Sequence, residues 1–392
     1  MKHNFSKRLD CLPPYLFIEI DKMKKKALAE GKNLIDLGIG DPDLPTPKPI
    51  IEELKKTCED AKYHRYPLGT GLIQFREAVA NWYKRRFDVE LEPKSEVVTL
   101  IGSKEGIGHI PLAFVNPGDV VLVPNPGYPV YNASTVFAGG KPFMMPITEK
   151  NNWVPDLNSI PKNLLKKTKL MFLNYPNNPT SAVATREFFE EVVRFAKKHN
   201  IIVCHDAAYS EIYFGNEKPL SFLQVNGAKD VGIEFHSLSK TFNMTGWRIG
   251  FAVGNKEIVR GLAKVKENLD SGVFEAIQMA GIKALNLPDA NTENIRKEYE
   301  KRRNILLTGL KEIGLEVGET KATFYVWIKV PQVYKKTKSP SSEFVAFLLQ
   351  QCGIISTPGV GFGKYGEGYI RMTLCASSAK LEEAIFRMKQ NL

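Results

Sequence analysis

Through the middle of the chain, short apolar runs alternate with longer amphipathic stretches. The runs cover residues 97–101, 120–123, 143–147, 170–173, 201–204, 232–235 and 249–253. Several are followed by an apolar periodicity of helical type, clearest over 186–198. Strands that alternate with helices build a mostly parallel sheet covered on both faces. The pattern predicts an α/β fold whose large domain holds a mostly parallel, seven-stranded sheet. Sheets of this kind bind ligands beyond the carboxyl ends of their strands. Chemistry is therefore to be sought in the residues just after each run.

The two ends of the chain read differently. Residues 1–45 hold a helix candidate over 18–30, a short run at 34–37 and the loop Gly38-Ile39-Gly40-Asp41-Pro42-Asp43. Beyond Pro288 come a charged helical stretch, 294–314, and a strand-like stretch, 323–330. A loop over 335–341, a helix over 343–351 and a strand over 369–374 follow. We expect an N-terminal arm and part of a small domain in 1–45, a large domain in 46–287, and the rest of a small α/β domain in 288–392. A length of 392 residues suits two domains, at roughly 100–200 residues each.

Composition sets the outer limits. With 43% hydrophobic and 25% charged residues, the chain is neither collagen-like nor an acidic disordered tail. Lys+Arg 54 against Asp+Glu 43 leaves a formal charge of +11. That excess could answer to nucleic acid, an anionic membrane surface or anionic small molecules, or be no more than a Lys-rich surface. No apolar core follows the basic start Met1-Lys2-His3, so no secretory signal is expected. No run approaches the ~18 apolar residues of a membrane helix. Five cysteines without a CxxC pair and six histidines without ligand spacing point to a reduced, cytoplasmic protein with no bound metal.

Two strand ends carry the chemistry. The run at 201–204 leads into His205-Asp206-Ala207-Ala208-Tyr209, and the next into His236-Ser237-Leu238-Ser239-Lys240. Neighbouring strand ends would set Asp206 and Lys240 on one rim. Alone, such a pair is a surface ion pair worth little. Here Gly102-Ser103-Lys104-Glu105-Gly106 opens a helix after the first run, where backbone N–H groups bind phosphate. Ser237, Ser239 and Arg248 add donors. A phosphate cup beside a lysine and an aspartate fits pyridoxal 5′-phosphate. Its aldehyde needs a lysine for a Schiff base, and its pyridine nitrogen needs a carboxylate to stay protonated.

Ser237-Leu238-Ser239-Lys240 through Gly246-Trp247-Arg248-Ile249-Gly250 resembles the lysine signature of class I/II aminotransferases of fold type I. Tyr175-Pro176-Asn177-Asn178-Pro179-Thr180 resembles that family's Asn-Pro-Thr-Gly element, with Ser181 where glycine is usual. The resemblance implies that Lys240 binds the cofactor and shuttles the substrate proton. It implies that Asp206 holds the pyridinium, that Tyr209 and Asn178 bond its phenolate oxygen, and that Tyr128 stacks on its ring. Ser103, Lys104, Ser237, Ser239 and Arg248 would hold its phosphate. Tyr66 would reach the phosphate of a neighbouring subunit in a homodimer with shared sites. Arg371 would grip the substrate α-carboxylate, and Gly40 would approach the substrate.

The segment Leu12-Pro13-Pro14-Tyr15-Leu16-Phe17 and the loop 36–43 resemble the LL-diaminopimelate aminotransferases, nearest their bacterial and archaeal branch. In that family Tyr15, Lys104, Tyr128 and Asn178 also face substrate. Where the plant-type branch has a substrate-binding asparagine, this chain has Asp270-Ser271-Gly272-Val273-Phe274. The implied reaction moves an amino group from glutamate to tetrahydrodipicolinate, towards LL-diaminopimelate and lysine. Rival readings are an aspartate, alanine or aromatic aminotransferase, or a cystathionine β-lyase on the same fold. A DNA-binding regulator on this fold would carry a winged-helix domain ahead of Tyr15, and none is expected. The four cationic contacts Lys104, Lys240, Arg248 and Arg371 then answer to phosphate and carboxylates, and the remaining excess charge is surface composition.

Overall fold

The computed structural model describes residues 3–12, 16–67, 69–334 and 336–392. After the short strand β1 (Ile35–Asp36) come β2 (Val97–Leu100), β3 (Val120–Asn125), β4 (Lys141–Pro146) and β5 (Thr168–Asn174). β6 (Ile202–Asp206), β7 (Gly232–Ser237) and β8 (Gly250–Gly254) follow. The seven from β2 to β8 form one sheet in the order β2-β8-β7-β6-β5-β3-β4. Each of the apolar runs in the sequence overlaps one of them. Pairing is parallel from β4 through β7, and β8 runs antiparallel to both β2 and β7.

Side chains alternate between the two faces of a strand, and two apolar clusters record that alternation. Val120, Leu122, Met171, Leu173, Val203, Phe251 and Val253 pack on one side. Val121, Val123, Leu170, Phe172, Cys204, Phe235 and Ala252 pack on the other. Neither face meets water, which is why the strands read as continuous apolar runs. The covering helices show the complementary pattern. Helix Arg186–His199 buries Phe188, Phe189, Val192, Val193 and Ala196 along one stripe. The Thr185 hydroxyl accepts from the Phe188 amide at 3.3 Å to start it. Asn200, at φ 53°, ends it after a basic last turn that suits the helix dipole.

The later strands are β9 (Tyr325–Lys329), β10 (Ile354–Ile355), β11 (Thr357–Pro358) and β12 (Tyr369–Thr373). β12 lies between β11 and β9, antiparallel to both. β1 pairs in parallel with β10, Ile35 opposite Ile354. A third apolar cluster joins Ile35 and Leu37 to Leu306, Phe344, Leu348, Ile370 and Met388. Its helices are Asp289–Glu312, Pro340–Cys352 and Ser378–Asn391. The two-residue strands β10 and β11 are too short to leave a periodic trace in the sequence. Tyr209, Ile212 and Phe214, just beyond β6, belong to this third cluster. The chain therefore passes straight from Asp206 into the second layer, and the two layers meet at the carboxyl ends of β6 and β7.

Candidate active site

A cavity of about 340 Å³ opens at that meeting point. β6 delivers Asp206 to its floor, and the chain leaving β7 delivers Ser237, Ser239 and Lys240. Parallel pairing sets Asp206, the last residue of β6, opposite Phe235, and β7 runs two residues further to Ser237. Gly40, Asp41 and Tyr325 close the cavity from the second layer. Lys240 Nζ donates to the Gly40 carbonyl at 3.1 Å. A Cβ on Gly40 would collide with the Tyr325 hydroxyl, so only glycine lets the loop lie this close.

Burial displaces both key charges from their usual ranges. It pushes the Asp206 carboxyl up, against the Tyr131 hydroxyl and the Ala208 amide, which favour the ionised form. Tyr131 Oη donates to Asp206 Oδ2 at 2.7 Å, and the Ala208 N–H to Oδ1 at 3.3 Å. Burial pulls the Lys240 ammonium down, opposed by Cys375 and Asp41 and aided by Arg248 and Arg371. A lowered pKa makes a lysine more available as nucleophile and base.

The anion cup assembles on the other wall. Ser103 and Lys104 begin helix Ser103–Phe114 and line the cavity with Ser237, Ser239 and Arg248. Gly102 precedes that helix at φ 74°, and a Cβ there would strike the Arg248 guanidinium. Glycine thus lets a guanidinium sit directly against a helix N-terminus, two positive features on one spot. Arg248 is oriented by the Thr245 carbonyl at 2.9 Å and the Ile101 carbonyl at 3.4 Å. Ser237 Oγ accepts from the Ser239 amide at 3.2 Å, which fixes the turn before Lys240.

Arg371 is fully buried on β12, the middle strand of its sheet. An edge-strand surface charge is thereby excluded. Its Nη1 donates to Asn178 Oδ1 at 2.8 Å and its Nη2 to the Gly38 carbonyl at 2.7 Å. Its guanidinium lies 4.1 Å from the Tyr325 ring centroid. Burial lowers its pKa, partly offset by Tyr325 and Tyr209. Tyr209 and Tyr325 share a hydroxyl contact of 2.9 Å. Burial, then Tyr325, push the Tyr209 hydroxyl well above its usual range, which keeps it a donor.

Gly40, Ser103, Lys104, Tyr128, Asn178 and Asp206 thus line one cavity with Tyr209, Ser237, Ser239, Lys240 and Arg248. Arg371 stands directly behind Asn178 and Tyr325. Tyr66 is 81% exposed and is not in this cavity wall. Tyr15 lies outside the described residues. Asp270 is held by Lys266 at 2.8 Å and is not in the cavity wall either. Sequence reasoning missed Tyr131, Asn174 and Tyr325. Asn174, the last residue of β5, donates to the Asp206 carbonyl at 2.8 Å and accepts from the Asn178 amide at 2.8 Å. Its place at a strand end was the available signal. Tyr131 had none, because its partner is 75 positions away.

Comparison with known proteins identifies the family. The family model described as aminotransferase class I and II matches residues 32–388. The chain is 58% identical to an LL-diaminopimelate aminotransferase of Aquifex aeolicus, across 98% of both chains. It is 54% identical to one from Syntrophobacter fumaroxidans, again across 98% of both. Substrate-bound BacF from Bacillus subtilis superimposes with a TM-score of 0.95 at 37% identity, covering 100% of this chain and 99% of that one. A Thermus thermophilus aspartate aminotransferase mutant superimposes with a TM-score of 0.92 at 26% identity over 100% of both chains. The chain belongs to the class I and II aminotransferases and is a transaminase of fold type I.

Proposed function

We propose that this transaminase uses pyridoxal 5′-phosphate to move an amino group between LL-diaminopimelate and 2-oxoglutarate. In the biosynthetic direction glutamate donates to tetrahydrodipicolinate, a step towards lysine, in the cytoplasm. The reading is carried by one observation: Lys240, Asp206 and a serine–arginine cup share one cavity in a chain 58% identical to an LL-diaminopimelate aminotransferase.

The donor set suits the cofactor. The Gly102–Arg248 contact leaves no room for a side chain at position 102, so the guanidinium lies directly against the helix N-terminus. Bound there, pyridoxal phosphate supplies the electron sink that loosens the substrate Cα–H bond. Ser103, Lys104, Ser237, Ser239 and Arg248 hold its phosphate. Asp206 holds the proton on its ring nitrogen, Tyr209 and Asn178 donate to its phenolate oxygen, and Tyr128 covers its ring. The Lys240 amine takes the proton from the substrate Cα and returns it on the other side of the transfer. Arg371 pairs its planar fork with the substrate α-carboxylate, beside Gly40. Tyr15 and Lys104 are assigned to the substrate's distal end. The two-layer division at residues 45 and 287 belongs to the same reading, supported by the β1–β10 pairing. So does a homodimer with shared sites, supported by the exposure of Tyr66.

An amino-donor panel with 2-oxoglutarate as acceptor tests the substrate. LL-diaminopimelate should exceed aspartate, alanine, phenylalanine and tyrosine in kcat/KM by at least about tenfold, a difference of roughly 1.4 kcal/mol in transition-state binding. A preference for any of the others, or release of pyruvate from cystathionine, would overturn it.

A further inference from the structure

On the face of the sheet opposite Asp206, a fully buried carboxylate sits among five donors. Glu234, on β7, lies beside His205 of β6 in the strand register. His236 is two residues further along β7, so all three side chains share a face. His205 Nδ1 approaches Glu234 Oε2 at 2.7 Å and His236 Nε2 approaches Oε1 at 2.8 Å. Tyr83 Oη donates at 2.6 Å, Ser221 Oγ at 2.8 Å and the Phe222 amide at 2.8 Å. Burial pushes the Glu234 carboxyl up, but the two histidines more than reverse this and hold it well below the usual carboxylate range. An ionised carboxylate only accepts, so each ring nitrogen facing it carries a hydrogen.

These histidines immediately precede the residues that enter the cavity. His205 is followed by Asp206, and His236 by Ser237. His205 Nε2 is buried with no hydrogen bond among the described residues, so Glu234 alone fixes the polar edge of that ring. His236 stacks on Phe251 at 5.3 Å and meets Trp82 edge-on at 5.5 Å. Its second nitrogen faces Ser210 Oγ at 3.5 Å. Both histidines also favour the ionised form of Asp206.

We propose that Glu234 is a positioning residue for amino transfer: through His205 and His236 it fixes the ends of β6 and β7, which carry Asp206 and Ser237 into the cavity. The proposal rests on the pyridoxal phosphate reading above. Buried networks of this kind hold geometry only while every member is satisfied. A small displacement of groups at a reacting centre can lower turnover by about 10²-fold.

The test compares holoenzymes by kcat, KM for LL-diaminopimelate, visible spectrum and the dissociation constant of pyridoxal phosphate from the reconstituted apoprotein. Glu234→Gln should lower kcat by roughly 10- to 100-fold. It should also weaken cofactor binding about tenfold, one charged hydrogen bond's worth, with KM little changed. His205→Asn and His236→Gln each keep an N–H aimed at Glu234 and should stay near wild type. His205→Leu and His236→Leu should behave as Glu234→Gln does. Wild-type kcat and cofactor binding in Glu234→Gln, with only the melting temperature reduced, would overturn the proposal. If that variant does not fold, His205→Asn failing as badly as His205→Leu would overturn it. A wild-type chain that takes up no pyridoxal phosphate would instead overturn the reading beneath it, and the proposal with it.

Discussion

The two faces of the central sheet treat buried charge in opposite ways at the same strand ends. On the cavity face, Asp206 is pushed up and Lys240 is pulled down, burial being the first cause each time. On the other face, Glu234 is equally enclosed yet driven towards ionisation by its histidines. The first arrangement holds charges in unfavourable surroundings, as reacting groups require. The second satisfies a charge fully, as a scaffold requires. Alternation along β6 and β7 lets one residue step separate the two tasks.

Removing Lys240 gives the largest expected effect. Lys240→Ala should lower transamination by at least about 10³-fold, the span of a lost general base, and abolish the absorbance band of lysine-bound cofactor. An active Lys240→Ala protein with the same band would remove the cavity face from the chemistry altogether.

Asp206→Asn and Glu234→Gln sharpen the contrast as a pair. Asp206→Asn should reduce kcat by roughly 10²- to 10³-fold, as loss of an electrostatic stabiliser does. Its effect on stability should have the opposite sign to that of Glu234→Gln. The folded pKa of Asp206 is raised, so its penalty is absent below the ordinary value of about 3.9 and complete above the folded value. At pH 7 the cofactor-free Asp206→Asn protein should melt no lower than wild type. The folded pKa of Glu234 is depressed, so its contribution is present above about 4.3 and is lost as pH falls through the folded value. Glu234→Gln should lose about 3 kcal/mol at pH 7, as breaking a buried charged network does. The gap from wild type should narrow in acid. Calorimetry across pH 2–7 reads both, and a larger loss for Asp206→Asn than for Glu234→Gln would break the comparison.

The smallest effect is expected from Tyr131→Phe, which removes one donor from Asp206 and leaves the stacking on Phe172 in place. Steady-state kinetics should show about a tenfold loss in kcat, the value of a hydrogen bond to a charged group. An unchanged kcat would mean that Asp206 needs no support from this side.

Much of this was legible in the sequence because strand ends are local. Asp206 and Lys240 could be found by reading just past apolar runs, and the cup by reading Gly102-Ser103-Lys104 against Ser237-Leu238-Ser239. What was not legible depends on partners far apart in the chain. Tyr131 reads as an ordinary helix aromatic, and Tyr325 as one more strand residue. Glu234 did leave a trace, a carboxylate between Ile233 and Phe235 inside a strand buried on both faces. A charge in such a position must be paired, and His205 and His236 were the neighbours in register. The short strands β10 and β11 left no trace, since their pairing with β1 and β12 joins segments more than 300 positions apart in one case and close together in the other, with too few residues for a period.

The most direct measurement is borohydride reduction of the protein loaded with pyridoxal phosphate, followed by mass mapping of its peptides. A phosphopyridoxyl group is expected on Lys240 alone. A label on Lys104 or another lysine, or no label, would contradict it.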